Sequence, residues 1–419
     1  MKASRRAVLG VSATLLAASK AAAATPMGDE GEARRILERF DGFGVKASGG
    51  PGDTASGAWL ESELKALGYA TARQPFDAPA YEGDATLSRG GATASVIPQA
   101  IVTPTSAAGL SGPLYVAGRD RGPGIALVSL PYARWSTILG PVEKLVAAAI
   151  ADGASAVGII TDGPTREACA LNSPDRRMFD RPVFVISPGD AAKLSALSGP
   201  ATLAMAGRSF RRPTYNVTAR LDRGAGRWLV ISTPRSGWFH CAGERGTGLA
   251  AWLLLARWAS SAKLPVNVAL VATSGHEYEY TGGEAYIHAL APKPAETGLW
   301  VHLGANVAAR DWHERGATLS PLPSADPQRF LLASAPLVPA ARAAFAGLPG
   351  LESVYTADPA LAAGELASIL KGGYGQVAGI FGSHRYHHTR VDDLRCVSPA
   401  LVPPVATAMA QVIASAFRA

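Results

Sequence analysis

Four runs of the chain, RWLVIST (227–233), VNVALVAT (266–273), LWVHLGAN (299–306) and VAGIF (377–381), are apolar nearly throughout rather than at alternate positions. A strand that is apolar on both faces must be covered on both faces, as happens in parallel sheets whose crossover helices supply the cover. Two such helices are legible, GTGLAAWLLLARWASS after the first run and SPALVPPVATAMAQVIASAF near the end of the chain. The alternation predicts the α/β class, with a mixed, mostly parallel sheet covered by helices. Ligands of open sheets of this kind sit beyond the carboxyl ends of the strands. The loops that begin at Pro234, Ser274, Gly304 and Gly382 are therefore where a site belongs.

Upstream the texture changes. EARRILERFDGFG and the stretch before Gly68 read as two helices around a Gly/Pro/Ser loop, with Gly68 placed to end the second. Between 94 and 207, GIALVSL, GPVEKLVAAAIADGA, AVGIITDG and RPVFVISPGDAAKLSAL read as strand, helix, strand, then strand into helix. That order suits a small inserted α/β domain. The expected organisation is a leader over 1–24, a main α/β domain built from 29–93 and 208–419, and an insert over 94–207.

The leader expectation rests on MKASRRAVLGVSATLLAASKAAAAT, in which Arg5 and Arg6 precede a modest apolar run and a small-residue stretch. This is the order of a twin-arginine export signal cut near Ala24, and it points to a bacterial periplasm or exterior. Its removal takes Lys2, Arg5, Arg6 and Lys20 and no acid, so the formal charge falls from +7 to +3. No dense basic run with interleaved aromatics remains, which excludes a nucleic-acid footprint. After the leader every apolar stretch is broken by charge, Pro or Gly, and no membrane span is expected. Cys169, Cys241 and Cys396 are too few for a disulfide framework and match no zinc-finger spacing. Oligomeric state is left open.

Six of the eight histidines fall at the four loops or beside them: His240, His276, His302, His384, His387 and His388. Ser236, Cys241, Glu244, Glu277, Glu279, Asp392 and Asp393 accompany them. Scattered structural histidines do not cluster in this way, and the clustering marks a candidate site. Trp238, Phe239, Tyr278, Tyr280 and Tyr386 are placed to line it or pack beneath it.

CAGERGTG (241–248), HEYEYTGG (276–283), LGAN (303–306) and YHHTRVDD (386–393) occur in the order of the motifs of the zinc aminopeptidase family that also contains the glutaminyl cyclases. The chain resembles that family over nearly its whole length beyond the leader. The insert is similar to the protease-associated domain found in many exported peptidases. The resemblance implies a zinc-aminopeptidase-like fold and two metal positions, but the ligand residues depart from the pattern. Pro234 and Ser236 fall where the family has His and Asp, Glu244 where it has its bridging Asp, and Arg245 where it has Asn. His276 falls at the general-base Glu and Gly304 at the strand-end Asp. Glu277 and His388 are retained.

What the resemblance implies is a site that has lost the private ligands of one metal. Glu244, Glu277 and His388 are then the expected ligands of a single zinc ion, with His276 as base; no metal at all is the alternative. The expected function is an exported aminopeptidase-like hydrolase of peptide or other amide bonds, taking a peptide-like or small amide substrate. The rival is a non-catalytic descendant that binds a peptide or small ligand. A minor third is a metal-independent hydrolase using Ser236 or Cys241 with an imidazole base and Glu277 as orienter; no nucleophile-elbow motif accompanies it.

Overall fold

The computed structural model describes residues 27–99, 101–163, 165–315 and 318–418. The expected leader lies outside the described residues. The main body is built on an eight-stranded sheet. Its strands are β1 (Ala70–Glu82), β2 (Arg208–Leu221), β3 (Trp228–Pro234), β4 (Asn267–Thr273), β5 (Thr297–Leu303), β6 (Arg329–Ala333), β7 (Val354–Thr356) and β8 (Val377–Gly382). They lie in the order β1-β2-β4-β3-β5-β8-β6-β7. The centre, β4-β3-β5-β8, is parallel, which brings the carboxyl ends of all four apolar runs to one edge. The flanks β1-β2-β4 and β8-β6 are antiparallel, so the sheet is mixed.

Helices cover both faces, as strands buried on both sides require. On one face α1 (Glu30–Asp41), α2 (Pro51–Ala66), α3 (Thr247–Ser261) and a C-terminal helix, Val402–Ala416, pack into a continuous core around Leu60, Trp252 and Met409. On the other, α4 (Thr281–Ala289) and α5 (Glu365–Lys371) cover Trp300 and Tyr374. Gly68 follows α2 at φ +85°, and the Tyr69 amide reaches back to the Leu64 carbonyl at 3.1 Å, the helix-ending geometry its position predicted. The expectation that no later stretch could span a membrane is corrected: Pro399–Ala416 has the length and composition for it. Proline does not interrupt it because it falls in the first turns, where no helical amide is lost. Here Val405, Met409, Val412 and Ile413 of this segment are buried in the core against α3.

β1 and β2 form a long antiparallel ribbon that carries the chain out of the main sheet and back, and the intervening residues form two further sheets. One holds Ala92–Ser95, Thr86–Arg89, Ala201–Ala204 and Leu110–Gly112. The other holds Ile97–Pro98, Val183–Ile186, Ala156–Ile160, Ile125–Ser129 and Leu114–Val116, with helices Pro141–Ala151 and Pro188–Ser195. Thr86–Arg89 pairs with both Ala92–Ser95 and Ala201–Ala204 in the first of these sheets. Trp238 and Phe239, from the loop after β3, pack against its core.

Candidate active site

Beyond Pro234 the chain runs through Arg235 and Ser236 into a five-residue π-helical turn, Ala242–Gly246, that opens α3. Such turns re-aim side chains and are frequent at sites. Asp392 anchors this one, accepting from the Gly243 amide at 2.7 Å and the Glu244 amide at 3.1 Å. Its carboxylate also lies 3.1 Å from His384 Nε2. Burial works against a charged His384, but Asp392 outweighs it and lifts the imidazole above its ordinary value.

The turn points Glu244 and Arg245 inward, and both are buried. Glu244 Oε1 lies 2.6 Å from Arg245 Nη2 and 3.0 Å from His388 Nε2. Burial opposes charge on Glu244, yet the guanidinium and the two neighbouring imidazoles hold its carboxyl well below the ordinary range. Oε2 of the same group is buried without a partner. His388 takes a left-handed backbone, φ +58°, and its Nδ1 lies 2.9 Å from the carbonyl of Ala170 in the outlying body. His387 stacks on it with ring centroids 3.9 Å apart.

Glu244, His387 and His388 bring one donor atom each within 4.8 Å of one another, a set that could hold a metal ion. The unpartnered Oε2 suits that use. Arg245 counts against it, because it brings a fixed positive charge to the carboxylate a cation would need, and both ring nitrogens of His388 already face oxygen atoms. A second set, His384, Asp392 and Cys396, meets the same distance test, but Asp392 is already committed to the π turn.

The expected trio does not assemble. Glu277 accepts from the Ser48 amide at 3.0 Å and from the hydroxyls of Ser48 and Ser236, each at 2.7 Å. Burial raises its carboxyl above the ordinary value. Glu244 and His388 meet, and His387 rather than Glu277 stands with them.

The Ser236 hydroxyl donates to Glu277, and His276 reaches it only through its backbone amide at 3.3 Å. Burial pushes the Cys241 thiol well up. Neither nucleophile has an imidazole hydrogen-bonded to it among the described residues. The His276 ring turns elsewhere, with Nδ1 3.1 Å from Glu365 Oε1 and the Tyr280 ring centroid 4.7 Å away. Burial first, and the charge of Arg245 second, hold His276 well below its ordinary value. A neutral imidazole oriented by a carboxyl group and facing a cavity can accept a hydrogen bond from a ligand, but its lowered value makes it a weak proton acceptor. His302 is buried with Nδ1 2.9 Å from Ser232 Oγ, and burial lowers it to about 4. His240 is 39% exposed at its side chain and pairs with Asp41 at 3.0 Å.

These loops bound a cavity of about 580 Å³. Arg245, His276, His302, His387 and His388 form its floor, while Tyr132, Arg134, Ser136 and Asn172 of the outlying body form a wall. Arg134 ties that wall to the main body, with Nη1 2.9 and 2.8 Å from the two Asp326 carboxylate oxygens. Tyr280 lines this cavity, whereas Trp238, Phe239 and Tyr278 line a second cavity of about 200 Å³ and Tyr386 lies in a third. Six of the eight described non-glycine residues with positive φ (Phe239, Cys241, Glu279, Tyr280, Asn306 and His388) lie in the strand-end loops. Strain gathered in this way is a mark of functional loops. Sequence reasoning missed Glu365, whose segment GELASIL carries no signal beyond a helix start. It took Arg245 only as a departure from a motif, although an arginine in a glycine-rich, buried helix start was the available clue.

No protein-family model matches the chain, and no curated protein matches it either. Solved structures do. BSAP, a zinc aminopeptidase from Bacillus subtilis, is similar at TM-score 0.72 and 17% identity over 93% of this chain and 95% of that one. A peptidase M28 precursor from Shewanella amazonensis SB2B matches at TM-score 0.66 and 17% identity over 93% and 96%. The glutaminyl cyclase of Porphyromonas gingivalis matches at TM-score 0.51 and 11% identity over 93% and 99%. Nearly the whole described chain therefore carries the fold of the zinc aminopeptidases and the glutaminyl cyclases.

Proposed function

We propose that this chain is an exported, peptide-binding protein of the zinc-aminopeptidase fold whose cleft holds its ligand by charge and shape rather than by a pair of metals. The observation that carries the reading is the Glu244–Arg245 pair at 2.6 Å, fully buried, with Glu244 at the place where the motif order puts the bridging metal ligand. A guanidinium there neutralises the carboxylate permanently and needs no ion. The closed Ser48–Glu277–Ser236 network supports the same reading, because it commits the other retained carboxylate to protein donors. The body between Glu82 and Arg208 is, in this reading, a protease-associated-like insert that walls the cleft. The twin-arginine segment would deliver the folded protein to the periplasm or exterior.

A second reading is an aminopeptidase-like hydrolase of peptide or amide bonds with at most one metal, and the unpartnered Glu244 Oε2 favours it. Glu244, His387 and His388 would hold the ion, which would polarise an amide carbonyl. His276, oriented by Glu365, would accept the proton of the attacking water. One experiment separates the two. The full chain is purified with zinc supplied, its metal content is measured by mass spectrometry, and turnover is assayed on aminoacyl amides and short peptides. The binding reading expects no stoichiometric zinc and no turnover. Stoichiometric zinc with turnover, both lost in His387→Ala and the zinc kept in Glu277→Ala, would overturn it in favour of the one-metal hydrolase.

A further inference from the structure

The lining of the 580 Å³ cavity is one-sided in charge: Arg134, Arg245 and Arg385 face it, beside four histidines of which burial holds His276, His302 and His387 neutral, and no Asp or Glu does among the described residues. Arg134 is neutralised by Asp326. The other polar groups are not all used. Arg245 spends Nη2 on Glu244 and Nε on the Ser236 carbonyl at 3.0 Å, which leaves Nη1 buried with no hydrogen-bond partner. Arg385 leaves Nε and Nη1 without hydrogen bonds; Nη1 lies 3.5 Å from the exposed Glu314, and the Arg385 backbone amide donates to Asp326 at 3.1 Å. His387 Nδ1 is likewise buried and unpartnered.

Buried donors without acceptors are rare in folded proteins because each costs its full desolvation. Here Arg245, Arg385 and His387 all line a single cavity, from which an acceptor brought from outside would approach the guanidinium donors; the neutral His387 ring donates from Nδ1 only in the tautomer that protonates it. Aromatic rings of Tyr280, Phe330 and Phe381 line the remainder of the cavity, which suits a ligand with an apolar body.

We infer that the cleft is an oxyanion-recognition site, and that its ligand is a peptide-like molecule that presents a carboxylate to Arg245, Arg385 and His387. The inference rests on the proposed peptide-binding cleft and adds the chemistry of the end that is read. A carboxylate is favoured over a phosphate because it is the oxyanion a peptide-like ligand carries.

The test titrates the full chain calorimetrically with N-acetyl-Ala-Ala-Phe bearing a free carboxylate, with the same peptide as its C-terminal amide, and with inorganic phosphate. The acid is expected to bind on the order of tenfold or more tighter than the amide. Arg385→Gln is expected to erase that difference. Arg245→Gln should do the same, but it strips a buried carboxylate of its partner; Arg385, whose side chain pairs with only the exposed Glu314 among the described acids, keeps the test sound if that variant fails to fold. Equal binding of acid and amide would overturn the carboxylate inference and leave the peptide-binding reading standing. Binding of phosphate without the acid would overturn it in favour of a phosphorylated ligand, and binding of none of the three would overturn it outright. Zinc-dependent cleavage of the peptides would sink the non-catalytic reading alone, since the acid-to-amide preference is measured separately.

Discussion

His302 stands on β5, buried, with Ser232 as its hydrogen-bond partner and a value lowered to about 4 by burial. Its ordinary value is 6.5, so as pH falls below 6.5 the unfolded chain takes up a proton that the folded chain refuses. The stability it contributes is therefore present above about 6.5, declines between 6.5 and 4, and is gone below 4. Its share of that loss is about 3 kcal/mol. In urea unfolding at stepped pH, His302→Gln should show a correspondingly shallower decline over this window than the parent; an unchanged slope would contradict the burial argument. The histidines also mark how far single residues were legible. Their clustering pointed to the right loops, yet which imidazole meets Glu244 depends on the left-handed backbone at His388 and the Ala170 carbonyl beneath it. Nothing local in YHHTR distinguishes one histidine's direction from the next.

Two glycines separate what an element needs from what its neighbours need. Gly68 ends α2 at φ +85° with open space around a would-be Cβ, so Gly68→Ala should cost only the backbone term, about 1 kcal/mol. Gly282, in the first turn of α4, would place a Cβ 2.0 Å from the Ser274 carbonyl and 2.6 Å from Asn216 Oδ1. Gly282→Ala must push the helix off the strand end, and a loss of about 3 kcal/mol or more is expected. Thermal unfolding of both variants checks the ordering, and a milder Gly282→Ala would argue that α4 is free to shift. The elements themselves were largely legible, because helix punctuation and fully apolar strands are local signals. β6, β7 and α5 were not read, being short segments whose burial comes from partners far along the chain.

Across the whole molecule, the cavity is walled by Tyr132, Arg134, Ser136 and Asn172 on one side and by the strand-end loops on the other, joined by polar contacts as well as by the packing of Trp238 and Phe239. Arg134 bridges Asp326 and the Ser383 carbonyl, the latter at 2.6 Å, from the far side of the cavity. Arg134→Met leaves Asp326 buried with that partner gone, a change worth about 3 kcal/mol. It should raise hydrogen exchange through 383–388 and speed proteolysis at the connections near Gly83 and Gly207. Unchanged exchange there would show that the wall is held by apolar packing around Trp238 alone.

The sequence by itself determined the four central strands, the helix after the first of them, the C-terminal helix and the edge at which a site belongs, because periodicity and punctuation are written in consecutive residues. Only the tertiary structure decided what fills that edge. Glu277 turned to Ser48 and Ser236, His387 joined Glu244 and His388, Glu365 oriented His276, and Arg245 entered the floor of the cavity. Each of these outcomes depends on which distant side chain meets a buried polar group first. That competition is settled by packing across the sheet and has no counterpart in local spacing.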